Sequence, residues 1–215
     1  MGIDDATQPT STEEHIRQGR EFIAEVHAKM NRLVEEFAQG KLNRAQFHRL
    51  YERYQRRIML VAQMIIEDDP TKWRSALEKD EETIYIRRRL TAKVLGMALY
   101  DNASGMPIES LGNFQVDSDL LVPMLSSFQS ATKEIFRAGM RSSAMENGQW
   151  LSFVPGAYST LLSLFSREPS NEQLDAVERM HRDFERANRA ALEAGNADPS
   201  ELAYPFLAFV RRSRR

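Results

Sequence analysis

The sequence predicts an α+β protein: an N-terminal antiparallel helical hairpin, then a five-stranded antiparallel sheet with flanking helices in the order β-β-α-β-β-β-α. Three observations carry this. Apolar residues recur at steps of three and four from Ile16 to Ile65, the period of one helix face. Between Val94 and Arg189 the hydrophobic period switches repeatedly between strand-like and helical. Turn residues stand at the switches, at Asn102-Ala103-Ser104-Gly105, Asn147-Gly148 and Pro155-Gly156.

Residues 1–10 are small and polar and read as a mobile tail. Ser11 with Glu14 has the spacing of a capping box, and a seam follows through Ile16, Ile23, Val26, Met30, Leu33 and Phe37, with Gly19 in the missing slot. Gly40 supplies a left-handed stop. Asn43 with Gln46 caps a second helix, whose seam is Phe47, Leu50, Tyr54, Ile58, Val61 and Ile65 and which ends at Asp68-Asp69-Pro70. The short link makes residues 11–70 an αα-hairpin.

Residues 71–93 form a linker. Trp73 and Leu77 suggest a helical turn, whereas Thr83-Ile84-Tyr85-Ile86 has strong β propensity, so the segment is either the end of a helix or an extra edge strand. Arg87, Arg88 and Arg89 then form either a solvated face or a contact for an acidic partner or phosphate.

The sheet domain spans residues 94–195. VLGMALYD and PIESLGNF make a first hairpin. A helix is expected from Asp117 to Ala138, with Leu121, Met124, Leu125, Phe128, Ala131 and Ile135 on its apolar face, stopped by Gly139. MRSSAME has the polarity of an exposed edge strand. Asn147-Gly148 predicts a type I′ hairpin turn, because both residues accept positive φ. QWLSFV pairs back, and AYSTLLSLFS is a buried central strand. Ser170 with Gln173 caps a long helix striped by Leu174, Val177, His181, Phe184 and Ala187. Residues 196–215 are a C-terminal extension in which an apolar run, Pro205 to Val210, precedes Arg211, Arg212, Arg214 and Arg215. The apolar part is expected to dock on the domain. The arginines keep it soluble or touch anionic lipid or RNA.

The stretch VLGMALYDNASGMPIESLG, in which Asp101 and Gly105 match a D-x-x-G turn one residue longer here, and the meander ENGQWLSFVPGAYSTLLSLFS resemble the roadblock / dynein light chain domains and their longin and profilin-like relatives. The resemblance covers the second half of the chain. The helical hairpin and the tail after Gly195 depart from it. It implies a homodimer formed by pairing edge strands, here Met140, Ser142 and Ala144, and a platform for a small Ras-like GTPase or another protein partner. The arginines that would meet that partner are Arg87, Arg88, Arg89, Arg141, Arg182 and Arg186. A profilin-like sheet also admits a second reading, a small-molecule sensor. The hairpin junction FAQGKLNRAQF resembles the SHOCT helical hairpin on Gly40, Leu42, Asn43, Gln46 and Phe47.

Chemistry is sparse. The chain has 215 residues and a net charge of −2, so no basic field points to nucleic acid. It has no cysteine, which excludes disulfides and thiolate metal sites. No phosphate-binding glycine motif and no nucleophile elbow occur, so neither a nucleotide cofactor nor a hydrolase is expected. His15, His27, His48 and His181 have no H-E-x-x-H arrangement, and the single Glu178-x-x-His181 lacks the second pair that a di-metal site needs. His181 reads as a hydrogen-bonded boundary residue. Arg182, Asp183, Glu185, Arg186 and Arg189 read as helix-supporting ion pairs, each worth about 0.2–0.5 kcal/mol, or as a charged docking surface. No apolar run reaches membrane-spanning length and the first residues have no signal-peptide pattern, so a cytoplasmic, non-enzymatic protein is expected.

Overall fold

The computed structural model describes residues 11–67, 81–114, 116, 142–196 and 198–205. The tail at 1–10, the Trp73–Leu77 turn, the helix expected at Asp117–Ala138, Met140, Arg141 and the terminal arginines lie outside the described residues. The chain divides into two units, Met1–Leu90 and Thr91–Arg215.

The first unit contains α1 (Ser11–Ala38), α2 (Arg44–Glu67) and α3 (Glu81–Leu90). Phe37 stacks on Phe47 at 4.4 Å near one end of the α1–α2 pair, and Gly19 meets Ile65 near the other, so the two helices run antiparallel. A Cβ on Gly19 would lie 2.7 Å from Ile65 Cδ1, so the gap in the α1 seam is where α2 approaches closest. Val26, Leu33, Leu50, Tyr54 and Val61 are buried as the seams require, and Phe22, off the predicted seam, joins them. Phe37, assigned to the seam, is 38% exposed. At the turn, Gly40 has φ +72°, and bonds from Lys41 N to Glu36 O and from Gly40 N to Phe37 O close a Schellman motif.

The ambiguous run Thr83–Ile86 is helical, and the second capping box gives the reason. Gln46 N donates to Asn43 Oδ1 and Asn43 N donates to Gln46 Oε1, both at 2.9 Å. Each side chain has an amide N–H left over. Asn43 Nδ2 donates to Leu90 O and Gln46 Nε2 to Arg87 O, both at 2.8 Å. Last-turn carbonyls of α3, which no helix satisfies for itself, thus end on the cap of α2. Ile86 enters the hairpin core, Arg87 Nη2 donates to Glu36 at 2.7 Å, and Arg53 pairs with Glu82. Tertiary docking therefore overrides a local β preference.

The second unit holds one antiparallel sheet of β1 (Val94–Asp101), β2 (Pro107–Gly112), β3 (Ser142–Ala144), β4 (Trp150–Pro155) and β5 (Ser159–Phe165), in spatial order β2-β1-β5-β4-β3. The helices α4 (Asn171–Ala187) and α5 (Arg189–Glu193) follow. Leu161 and Phe165 face α4 and pack with Leu174, Val177 and Phe184. Ser152, Ser159 and Ser163 are also fully buried, and small serines here let the helix lie close to the sheet. On the opposite face Leu151, Phe153 and Leu162 are buried with Phe114, Val116 and Met145. Burial on both faces is why β5 reads as a continuous apolar run. Ala187, expected on the buried stripe of α4, is exposed, because the helix ends there and Asn188 turns inward instead.

The Asn147-Gly148 hairpin exists, but its turn differs from the expected type I′. Gly148 N donates to Met145 O and Met145 N to Gln149 O, which makes Glu146-Asn147-Gly148 a three-residue loop with Gly148 in the left-handed position at φ +79°. In the first hairpin the Asp101 carboxylate accepts from Ser104 N at 2.7 Å and Ser104 Oγ at 2.6 Å, and Gly105 has φ +69°.

Ser170 and Gln173 form the predicted capping box, and Gln173 Nε2 again reaches a distant carbonyl, Ala92 O, at 2.8 Å. Both boxes have glutamine at the position where glutamate also serves, and only the amide has a spare donor for the distant carbonyl. Gln46→Glu and Gln173→Glu test this. A carboxylate at N3 normally stabilises a helix start by about 0.3–1 kcal/mol. Here each is expected to destabilise by about 1–2 kcal/mol in urea unfolding, since the tether is lost and a charge faces a carbonyl. A stabilising outcome would mean that the tethers contribute nothing.

Candidate interaction surface

The two sheet edges are not equivalent. Hydrogen-bonded and non-hydrogen-bonded pairs alternate along an antiparallel ladder. Met145 N donates to Gln149 O, so the Ser143–Leu151 pair turns its amides toward β4, and Ser142 and Ala144 turn theirs outward. At the far edge, Asn113 N donates to Leu95 O, and the same alternation turns Gly112 and then Ser110 outward from β2. The Ser110 amide is covered, because it donates to the Glu109 carboxylate at 2.9 Å. Pro107 opens β2 without a donor. Among the described residues, the β2 edge is thus partly guarded, at Pro107 and Ser110, whereas the β3 edge is open, with Ser142 and Ala144 as its outward positions.

The predicted arginines do not form one site. Arg87, Arg88 and Arg89 lie in the last turn of α3, where cations suit the helix dipole. Arg87 pairs with Glu36, Arg89 lies 5.8 Å from the Tyr85 ring centroid, and Arg88 is exposed. Arg182 and Arg186 lie in the other unit, exposed on the outer side of α4. His27 and His48 are both exposed.

The most densely bonded cluster of the second unit joins α4 to the β4–β5 turn, and it corrects the reading of Glu185 as part of an ion-pair ladder. Its carboxylate faces the sheet and accepts from three successive backbone amides, Ala157 N at 2.9 Å, Tyr158 N at 2.9 Å and Ser159 N at 2.8 Å. Ser159 Oγ adds a fourth donor at 3.0 Å. Consecutive amides of this kind form an anion-binding nest, and here the chain supplies its own anion. Gly156 makes room: a Cβ there would collide with the carboxylate. Asn102 fastens the neighbouring β1–β2 loop to the same turn, donating to Gly156 O at 3.1 Å and accepting from Thr160 Oγ1 at 2.7 Å. Two of these residues carried a sequence signal: a glycine in a tight turn, and a glutamate four residues after an apolar-face histidine.

His181 Nε2 lies 2.9 Å from Ser159 Oγ and 4.0 Å from Glu185 Oε1. A Ser-His-Glu grouping invites comparison with a hydrolase, but the geometry differs: Glu185 lies on the Nε2 side of the ring beside Ser159, not on the Nδ1 side from which a triad carboxylate orients the imidazole. An ionised Glu185 is acceptor only, so the single Ser159 hydroxyl proton goes to it. In that arrangement the Nε2–H tautomer of His181 donates to Ser159 Oγ, the reverse of a histidine that removes a serine proton. Ser159 is also fully buried. Burial holds the imidazole pKa down at about 4, against a weaker opposing pull from Glu185. Burial raises the Glu185 pKa, but the Tyr158, Ala157 and Ser159 amides outweigh it, so the carboxyl titrates below its usual range.

Among the described residues no three His, Asp or Glu side chains come together as a metal site, and no helix is long and apolar enough to cross a membrane. A depression lined by Met97, Leu99, Glu109, Leu111, Leu161 and Tyr204 encloses about 10 Å³, room for about one water molecule. Comparison with protein-family models, with curated proteins and with solved structures gives no match to this chain.

Proposed function

We propose that this chain is a non-enzymatic interaction module that forms a homodimer through β3 and acts as a scaffold or regulator of a small Ras-like GTPase in the cytoplasm, in the manner of the roadblock-like domains its second half resembles. The asymmetry of the sheet edges carries the dimer part of this reading. Pairing Ser142 and Ala144 with their counterparts about a two-fold axis satisfies the outward amides of both copies. A two-fold β3–β3 contact uses the same edge of both copies, so the assembly closes at two instead of growing into a fibre. The GTPase part rests on the resemblance alone. The second reading, a ligand sensor, needs a pocket of several hundred Å³, and a ligand-induced rise in melting temperature across a metabolite panel tests it.

Size-exclusion chromatography with light scattering tests the dimer. The expected mass at low micromolar concentration is twice that of the 24.7 kDa chain. Ala144→Pro removes an outward N–H and no bond to β4, so the variant is expected to be a folded monomer. A monomeric parent protein would sink the proposal, as would an Ala144→Pro variant that stays dimeric. Pull-down of purified small GTPases of the host, loaded with GDP or GTP, tests the partner.

A further inference from the structure

Glu185 sits three residues after Arg182 and four before Arg189, where an exposed carboxylate would neutralise both. Its side chain is instead turned inward and bonded to the β4–β5 turn. This leaves the outer side of α4 with Arg179, Arg182 and Arg186 at i, i+3 and i+7, all exposed on one face. Among the described residues Arg179 and Arg182 make no ion pair. Arg186 lies 3.7 Å from Asp183 with its side chain 81% exposed, a pair too solvated to hold it. Behind this face the helix is fixed by the Ser170 cap, the Glu185 nest and Asn188, whose Nδ2 donates to Ala203 O at 2.7 Å.

We propose that this face docks an acidic helix of a protein partner whose carboxylates repeat at three- and four-residue spacing; the inference deepens the interaction-module reading and rests on it. Arginines three and four apart on a helix stand about 5–6 Å from one another, the spacing of carboxylates on a facing helix. Each guanidinium fork suits a carboxylate bidentately, and a rigid backbone leaves only side chains to be ordered on docking. A polyphosphate or an anionic membrane fits less well. Asp183 interrupts the arginine row, Glu172 and Asp175 lie on the first turns of the same helix, and the whole chain carries −2. A protein helix can place a cation opposite Asp183, whereas a uniform polyanion meets it as repulsion.

The test is fluorescence anisotropy with the full chain and a labelled alanine-rich helical peptide bearing glutamates along one face. A peptide of the same composition with the glutamates spread round the helix, a DNA duplex and phosphatidylserine vesicles serve as competitors. The one-face peptide is expected to bind about tenfold or more tightly than the scrambled one and to weaken as salt rises. Arg182→Glu/Arg186→Glu is expected to abolish this binding, and Arg182→Gln/Arg186→Gln to weaken it less. Both variants are expected to keep the melting temperature and the light-scattering mass of the parent, so a failure here is separate from a failure of the dimer. Absent binding, equal binding of the two peptides, stronger binding to duplex or vesicles, or indifference to both variants would each overturn the proposal.

Discussion

Glu185→Ala is expected to lower the stability of the sheet unit by about 3 kcal/mol in urea unfolding, because three backbone amides and the Ser159 hydroxyl lose their acceptor together. Water reaches the exposed Ala157 amide and limits the loss there. Glu185→Gln is expected to cost about 1–2 kcal/mol, since one carboxylate oxygen becomes a donor that faces an N–H. Gly156→Ala reaches the same result from the other side: its Cβ displaces the carboxylate from the nest, at about 2–3 kcal/mol. The discriminating measurement is the double-mutant cycle. With Glu185 already Ala, the added Gly156→Ala is expected to cost under about 1 kcal/mol, a coupling of about 1.5 kcal/mol or more. Strict additivity would mean that Gly156 matters for its own backbone and not for the carboxylate it admits.

Acidification is expected to destabilise the same unit with a signature that one substitution removes. The ordinary imidazole pKa of 6.5 falls to about 4 for His181 in the folded chain. Between those values the unfolded chain binds a proton that the folded chain refuses, so this contribution to stability is complete above pH 6.5 and is lost as pH falls toward 4. The full loss is about 3 kcal/mol, approached at about 1.4 kcal/mol per pH unit. Glu185, also depressed, adds a loss of the same sign at still lower pH. The groups facing the imidazole are Ser159 from β5 and Glu185 from its own helix, and the nearby carboxylate offsets part of the charge once the ring is protonated. His181→Gln keeps a donor toward Ser159 and removes the titration. Its urea midpoint is expected to change less between pH 7 and 4.5 than that of the parent. Parallel curves for the two proteins would show that His181 is not the group responsible.

Much of this fold is legible along the chain, because it follows from local rules. The Asn43–Gln46 and Ser170–Gln173 boxes, the Gly40 stop, the β1–β2 turn and the buried character of β5 all depend on residues within one turn or strand of each other. Two features that the chain left open or misread depend on a partner distant in sequence. Thr83–Ile86 stays open between helix and strand because propensity does not know that carbonyls from Arg87 and Leu90 will meet Gln46 and Asn43. Glu185 reads as a surface charge because nothing beside it on the helix announces three amides contributed by residues 157–159.

The candidate site divides the same way. Sequence alone determined that an edge strand would carry Ser142 and Ala144 and that the last long helix would carry mixed charges at three- and four-residue spacing, since alternation and helical period are properties of the chain itself. Only the tertiary structure decided which edge stays open, through the Glu109 side chain on the Ser110 amide, and which charges remain on the surface, through the withdrawal of Glu185. A charge acts outward only if no buried amide competes for it, and that competition is settled where the chain crosses itself.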